Sequence, residues 1–67
     1  MMASYRPITL EGLLMREGRQ MVLHMPDGGQ WRLFVIGNQD HLLGRHVRIE
    51  GAREGHDGVA VDRITAK

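Results

Sequence analysis

Apolar and polar residues alternate along most of this chain, and turn signals rich in glycine interrupt the alternation at a spacing of about 8 to 12 residues. In residues 19–25, for example, the apolar positions Met21, Leu23 and Met25 recur at every second residue. This period is typical of a half-buried β-strand. The apolar runs have the length of strands, and none is long enough for an average helix. The pattern therefore predicts an all-β protein.

Five strands are predicted, in residues 8–16, 19–25, 30–36, 45–51 and 59–64. The strongest turn signal is Pro-Asp-Gly-Gly at residues 26–29. Between the third and fourth strands, residues 38–43 predict one short helical turn, capped by Asn38 or Asp40. A meander of three strands, a short helical connection and a final hairpin together predict a small five-stranded OB-like barrel, because only closure removes the sheet edges at this size.

Gly12 lies at the centre of the first predicted strand, between Leu10 and Leu14. A glycine inside a strand costs stability unless it serves a bulge, a bend or a close backbone contact. Apolar residues on both sides of Gly12 fit a pattern that shifts phase at a bulge. We therefore expect one long strand to pass at Gly12 from one half of the barrel to the other.

The third predicted strand is apolar on both faces. Trp31 and Leu33 share the face that we predict to be core, since a tryptophan is large and mostly buried. Phe34 and Ile36 share the opposite face. Two explanations remain open for these two residues: the helical turn of residues 38–43 covers them, or they lie open to a partner.

The length of 67 residues allows one domain. We expect residues 1–7 to form a tail and residues 8–65 to form a single domain. The absence of cysteine excludes disulfides and thiolate metal sites. No apolar run approaches the roughly 20 residues of a membrane span, and the first residues lack the apolar stretch of a signal peptide. A cytoplasmic protein is therefore predicted.

The charge balance is nearly neutral, with nine Lys and Arg against eight Asp and Glu and a formal net charge of +1. Composition alone therefore does not indicate a nucleic-acid partner. Lys67 is the only lysine, so arginine supplies almost all the cations. Arginine makes planar, bidentate and stacking contacts, which favours recognition of phosphate or carboxylate. A genome rich in G and C, where arginine codons are common, is the alternative explanation.

Turn and core residues form a set of motifs that spans residues 12–64. The set comprises LLGRHVRIEG at residues 42–51, Gly12-x-Leu14, GGQWRL at residues 28–33, and Arg53, Gly55, Asp57, Gly58, Val61, Asp62, Arg63 and Ile64. This set resembles a family of small uncharacterised bacterial domains with an OB-like barrel. The resemblance implies an OB-like fold of unknown role and assigns no catalytic or binding residue.

Metal-binding and catalytic groups are sparse. The four histidines are His24, His41, His46 and His56. No pair of them has the spacing that brings two ligands together on a strand or a helix, so we expect solvated histidines and no metal site within one chain. A metal shared between copies of the chain stays open.

Nucleophiles are also scarce, because Ser4 is the only serine and the threonines near the chain ends have no neighbouring histidine. The carboxylates mostly lie in turns or alternate with arginines, which predicts cross-strand ion pairs. We therefore expect a protein that is not an enzyme, with no cofactor and no small-molecule substrate.

OB-like barrels bind single-stranded nucleic acid through the face of the second and third strands. This use requires an exposed aromatic ring for base stacking and cations around it. We predict single-stranded DNA or RNA as the ligand, with Phe34 as the stacking ring. The predicted phosphate contacts are Arg32, Arg48 and Arg19.

Self-association is the competing hypothesis. The outward apolar residues Val22, Phe34 and Ile36 would form the interface, since exposed apolar surface on a small protein usually marks one. A homo-oligomer would also gain stability that a thin core lacks.

Overall fold

The computed structural model describes residues 7–67, which form five strands and one 3-10 turn. The elements are β1 (Pro7–Glu17), β2 (Gln20–His24), β3 (Gln30–Phe34), the 3-10 turn η1 (Asp40–Leu42), β4 (His46–Glu54) and β5 (Gly58–Ala66). The predicted tail lies outside the described residues, except for Pro7, the first residue of β1.

The five strands form one sheet that closes into a ring in the order β1-β2-β3-β5-β4. Neighbouring strands pair antiparallel, except β3 and β5, which are parallel. The predicted fold class is confirmed: the protein is all-β, with five strands in one sheet and a short helical turn between the third and fourth. The N-cap of that turn is Gln39, not Asn38 or Asp40, and it makes no side-chain capping hydrogen bond. Asn38 precedes it, and its Oδ1 accepts the Asp40 N–H at 2.8 Å.

The core fills the inside of the ring and draws on every strand. Its buried side chains are Leu14, Met21, Leu23, Leu33, Leu42, Val47, Ile49 and Val59. The alternation predicted for the second, third and fourth strands is therefore confirmed, and Leu42 shows that η1 turns its apolar side chain into the ring. Trp31 is half-buried and packs against this core.

Gly12 marks the point where β1 changes partners. Residues Pro7–Leu13 pair with β4, and Leu13–Glu17 pair with β2. A Cβ at Gly12 would lie 2.5 Å from the carbonyl oxygen of His24, where β2 ends. Gly12 thus serves a close backbone contact at the change of partner.

The expected phase shift at Gly12 does not occur. Ile8, Leu10 and Leu14 pack on the core side along the whole of β1. The irregularity lies instead between β4 and β5, where Gly51 pairs with Val61 but Glu50 pairs with Arg63.

Asp62 is the extra residue of this bulge, because it lies between two residues of β5 that face adjacent residues of β4. Val61 and Ile64 therefore both pack against the core. In a regular strand, residues at this odd spacing would lie on opposite faces. A Cβ at Gly51 would collide with the carbonyl oxygen of Ala60. The backbone of β5 comes this close because Gly51 has no side chain.

The last hairpin is tighter than the sequence pattern predicts. The residues between the predicted fourth and fifth strands, 52–58, shrink to a turn at residues 55–57, and both flanking strands are longer than expected. In contrast, β3 ends at Phe34, two residues before the predicted end of its strand.

Adding one methyl group at Gly12 or Gly51 should destabilise the fold. We expect Gly12→Ala and Gly51→Ala each to lower the free energy of unfolding by more than about 1 kcal/mol, because the new Cβ meets backbone that cannot move aside. Chemical denaturation measures the effect. Gly29→Ala is the control, since its Cβ meets only the side-chain oxygen of Asp27 at 3.3 Å. Wild-type stability of both strand variants would contradict the described packing.

Candidate nucleic-acid interface

Phe34 lies at the end of β3 on the outer face of the sheet, and 42% of its surface is exposed. The edge of its ring lies over Gly58 of β5, where a Cβ would come within 2.7 Å of the ring. Arg32 projects from the same face two residues earlier, with its guanidinium carbon 5.7 Å from the ring centroid. An aromatic ring beside a cation is therefore presented to solvent.

A shallow groove of about 500 Å³ runs beside this ring. Arg19, Gln20, Phe34 and Ile36 line it, so the β1–β2 turn and the end of β3 form its two sides. Gln20 Nε2 donates a hydrogen bond to the carbonyl oxygen of Leu33 at 3.0 Å, which ties the two strands together there. Within residues 7–67, Arg19 forms no ion pair. Its charge is available to a ligand in the groove.

Arg32 is paired with Asp57, a residue of the β4–β5 turn. Its Nη2 and Nε lie 3.1 Å and 3.2 Å from the same Oδ1 of Asp57. The backbone N–H of Arg32 also donates to the carbonyl oxygen of Asp57 at 2.7 Å. The β4–β5 turn is therefore joined to β3 directly beside the Phe34 ring.

Arg48 lies on a different part of the ring of strands. It pairs with Thr65 on β5, whereas Phe34 pairs with Ala60 on the same strand. The positions of Arg48 and Phe34 are therefore separated by the distance from Ala60 to Thr65, about 16 Å along β5. Its Nε lies 3.3 Å from Oε2 of Glu11 on β1. The structure thus brings together three of the four predicted nucleic-acid residues, Phe34, Arg32 and Arg19, and separates Arg48 from them.

Glu11 joins Arg48 to the end of the chain. Its Oε1 accepts a hydrogen bond from Lys67 Nζ at 2.7 Å. Lys67 first and Arg48 second hold the pKa of the Glu11 carboxyl below its ordinary value. On the outer face of β1 and β4, one carboxylate is thus shared by two cations.

Two of the three predicted interface residues are exposed. Ile36 has 96% of its surface exposed, so η1 does not cover it, and Phe34 is exposed as described. Val22 is only 3% exposed and offers no surface to a partner. It lies between Met15 and Arg32 on the adjacent strands, whose long side chains share its face of the sheet.

Trp31 forms a second contact between an aromatic ring and an arginine. The guanidinium carbon of Arg53 lies 5.5 Å from the Trp31 ring centroid. The ring itself packs against the core and is half-buried. Trp31 therefore lies on the core-facing side of β3 as predicted, but its ring is only half-buried.

Over residues 7–67, no three His, Asp or Glu side chains are grouped as a metal site would need. In the same part of the chain, no helix has the length and apolar character of a membrane span.

Comparison with family models places residues 11–67 in DUF5818, a family described as proteins of unknown function. The chain belongs to the DUF5818 family. The expectation of an uncharacterised family is thereby confirmed. The matched range contains every residue of the candidate site described above. Neither the curated proteins nor the solved structures yielded a match.

Sequence reasoning missed two residues of this candidate site. Asp57 neutralises Arg32, and Gly58 provides the space that the Phe34 ring occupies. Both lie more than twenty residues from their partners along the chain, at the parallel pairing of β3 with β5. An alternation pattern carries no information about which strands pair, so it held no signal for either contact.

The Glu11 cluster predicts a pH dependence of stability. Because the pKa of Glu11 is lowered in the folded state, its contribution is complete above the ordinary value of 4.5 and is lost as the pH falls through the lowered value. We expect Glu11→Gln to melt below wild type at neutral pH and low salt, and this difference to shrink in acid. Thermal melts across this range measure it.

Glu54→Gln is the control, because Glu54 forms no ion pair within residues 7–67. Its melting temperature should follow that of wild type at every pH. Equal melting of Glu11→Gln and wild type at neutral pH would show that the cluster contributes nothing to stability.

Proposed function

We propose that this DUF5818 domain is a non-enzymatic binding module for single-stranded DNA or RNA, and that it binds through the outer face of β2 and β3. The observation that carries the proposal is the exposed Phe34 ring with the Arg32 guanidinium 5.7 Å from its centroid. We also propose that the module is a cytoplasmic bacterial protein, in line with its resemblance to bacterial domains.

Base stacking is the chemistry that the Phe34 ring supports. Every nucleobase has a flat π-face, so an exposed aromatic ring binds bases with little sequence preference. The contact with Gly58 holds one edge of the ring against β5. A ring held in this way loses little conformational freedom on binding, which favours affinity.

Phosphate contacts come from the cations beside the ring. Arg19 lines the same groove as Phe34 and has no ion pair within the described residues. The strand order β1-β2-β3-β5-β4 also supports an OB-like reading, in which the second and third strands face the ligand. Arg48 lies outside this surface because of its distance along β5.

Substitution of Phe34 should separate stacking from simple apolar contact. Phe34→Leu keeps an apolar side chain but removes the π-face. We therefore expect the free energy of binding to weaken by about 1 to 3 kcal/mol, as for loss of one stacked base. Phe34→Trp should retain affinity. Fluorescence anisotropy with a labelled oligothymidylate or oligouridylate at low salt measures both.

Two arginine variants control for charge. Arg19→Ala should flatten the salt dependence of binding by about 0.7 in the logarithmic slope, the value for one phosphate contact on a single strand. Arg48→Ala removes the same charge from another part of the barrel-like ring of strands and should change the salt dependence of binding less. The proposal would fail if wild type bound neither DNA nor RNA at low salt, where electrostatic attraction is strongest.

Self-association is the second candidate function, and the exposure of Ile36 favours it. An isoleucine with 96% of its surface exposed, close to an exposed phenylalanine, is an apolar patch that a second copy of the chain could cover. The same contact would add stability to a domain of 67 residues without disulfides.

If this candidate is correct, Ile36→Asp should convert an oligomer into monomers, because a carboxylate in an apolar contact loses its hydration. Light scattering over a range of concentrations measures the mass. Ile36→Val is the control and should leave the mass unchanged. A wild-type protein that is monomeric at every concentration would rule out self-association.

A further inference from the structure

The cation that touches the Phe34 ring already has a carboxylate partner within the chain. Asp57 Oδ1 accepts a hydrogen bond from Arg32 Nε at 3.2 Å and lies 3.1 Å from Arg32 Nη2. A nucleic-acid phosphate binds a guanidinium through these same N–H groups. Asp57 thus occupies the position that a phosphate oxygen would take beside the ring.

The fold holds Asp57 in this position. Its carbonyl oxygen accepts the backbone N–H of Arg32 at 2.7 Å, where the parallel pairing of β3 and β5 begins. The turn is held a second time by Arg53, whose Nη2 donates to the carbonyl oxygen of His56 at 3.2 Å. The backbone therefore brings the carboxylate to Arg32 and keeps it there.

A ligand could nevertheless displace the carboxylate. The side chains of Arg32 and Asp57 are 54% and 49% exposed. An ion pair with this exposure is weak, because water and salt screen it. Competition between Asp57 and a phosphate for Arg32 is therefore expected to alter affinity modestly.

We infer that the Asp57 carboxylate competes with phosphate for the Arg32 guanidinium and so limits the affinity of the Phe34 surface for nucleic acid. The inference rests on the proposed nucleic-acid function and adds a residue that sets its strength. Asp57→Asn keeps the backbone hydrogen bonds and the shape of the side chain but removes its charge. In this variant Arg32 should be free to bind phosphate.

The test compares wild type with Asp57→Asn for binding to a labelled oligothymidylate at several salt concentrations. We expect the variant to bind about two- to fivefold more tightly at low salt, which matches the worth of one exposed ion pair. The logarithmic salt slope should steepen by about 0.7, since one more phosphate is neutralised. Adding Arg32→Ala to Asp57→Asn should remove the gain.

Glu11→Gln is the matched control. It makes the same change of net charge and removes the carboxylate partner of Arg48 and Lys67, which lie on a part of the ring of strands away from Phe34. A gain in Asp57→Asn without a comparable gain in Glu11→Gln supports the inference. Asp57→Ser is measured in parallel and melts are recorded for all variants, so that a folding defect in one of them does not decide the result.

The two possible failures are distinct. Binding by wild type with no gain in the Asp57 variants, or with an equal gain in Glu11→Gln, would overturn the role of Asp57 and leave the nucleic-acid function standing. Absence of binding by wild type and by every variant would overturn the proposed function itself, and the role of Asp57 with it.

Discussion

The parallel contact between β3 and β5 is the interaction on which the rest of this structure depends. Its three residue pairs are Arg32 with Gly58, Leu33 with Val59, and Phe34 with Ala60. The middle pair is buried and closes the core, because this contact joins the meander of β1 to β3 to the hairpin of β4 and β5. The outer side of the same contact carries the candidate site. The same contact therefore closes the ring of strands and positions the residues of the candidate site.

Closing so short a sheet requires local irregularity. The strands must curl tightly around a small core, and a regular pleated sheet resists this bending. At Gly12 the chain changes partners, and at Gly51 a bulge admits Asp62 as an extra residue. Both glycines lie where another strand's backbone comes close, so the missing side chains permit the curvature. The bulge also restores the inward direction of Ile64.

Charge is distributed unevenly around the ring, although the net charge is only +1. On the face of β1, β4 and β5, Glu11 pairs with Arg48 and Lys67, and Glu50 lies opposite Arg63. Charges opposite one another across strands partly offset each other on that face. The groove beside β2 and β3 combines the exposed side chains of Phe34 and Ile36 with the cation of Arg19. A surface of mixed apolar and cationic character is thus present beside the parallel contact.

The sequence by itself determined the strands, the inward faces of the second, third and fourth of them, and the position of the helical turn, because alternation and turn residues are local properties that each segment carries alone. It also identified Phe34 as an outward aromatic residue with Arg32 on the same face. Tertiary structure decided what depends on the pairing of distant strands. It buried Val22 between its neighbours, moved the bulge from Gly12 to Gly51, paired Arg48 with Glu11, and placed Asp57 on Arg32. No local pattern contains these contacts, since each joins segments that only closure of the ring brings together.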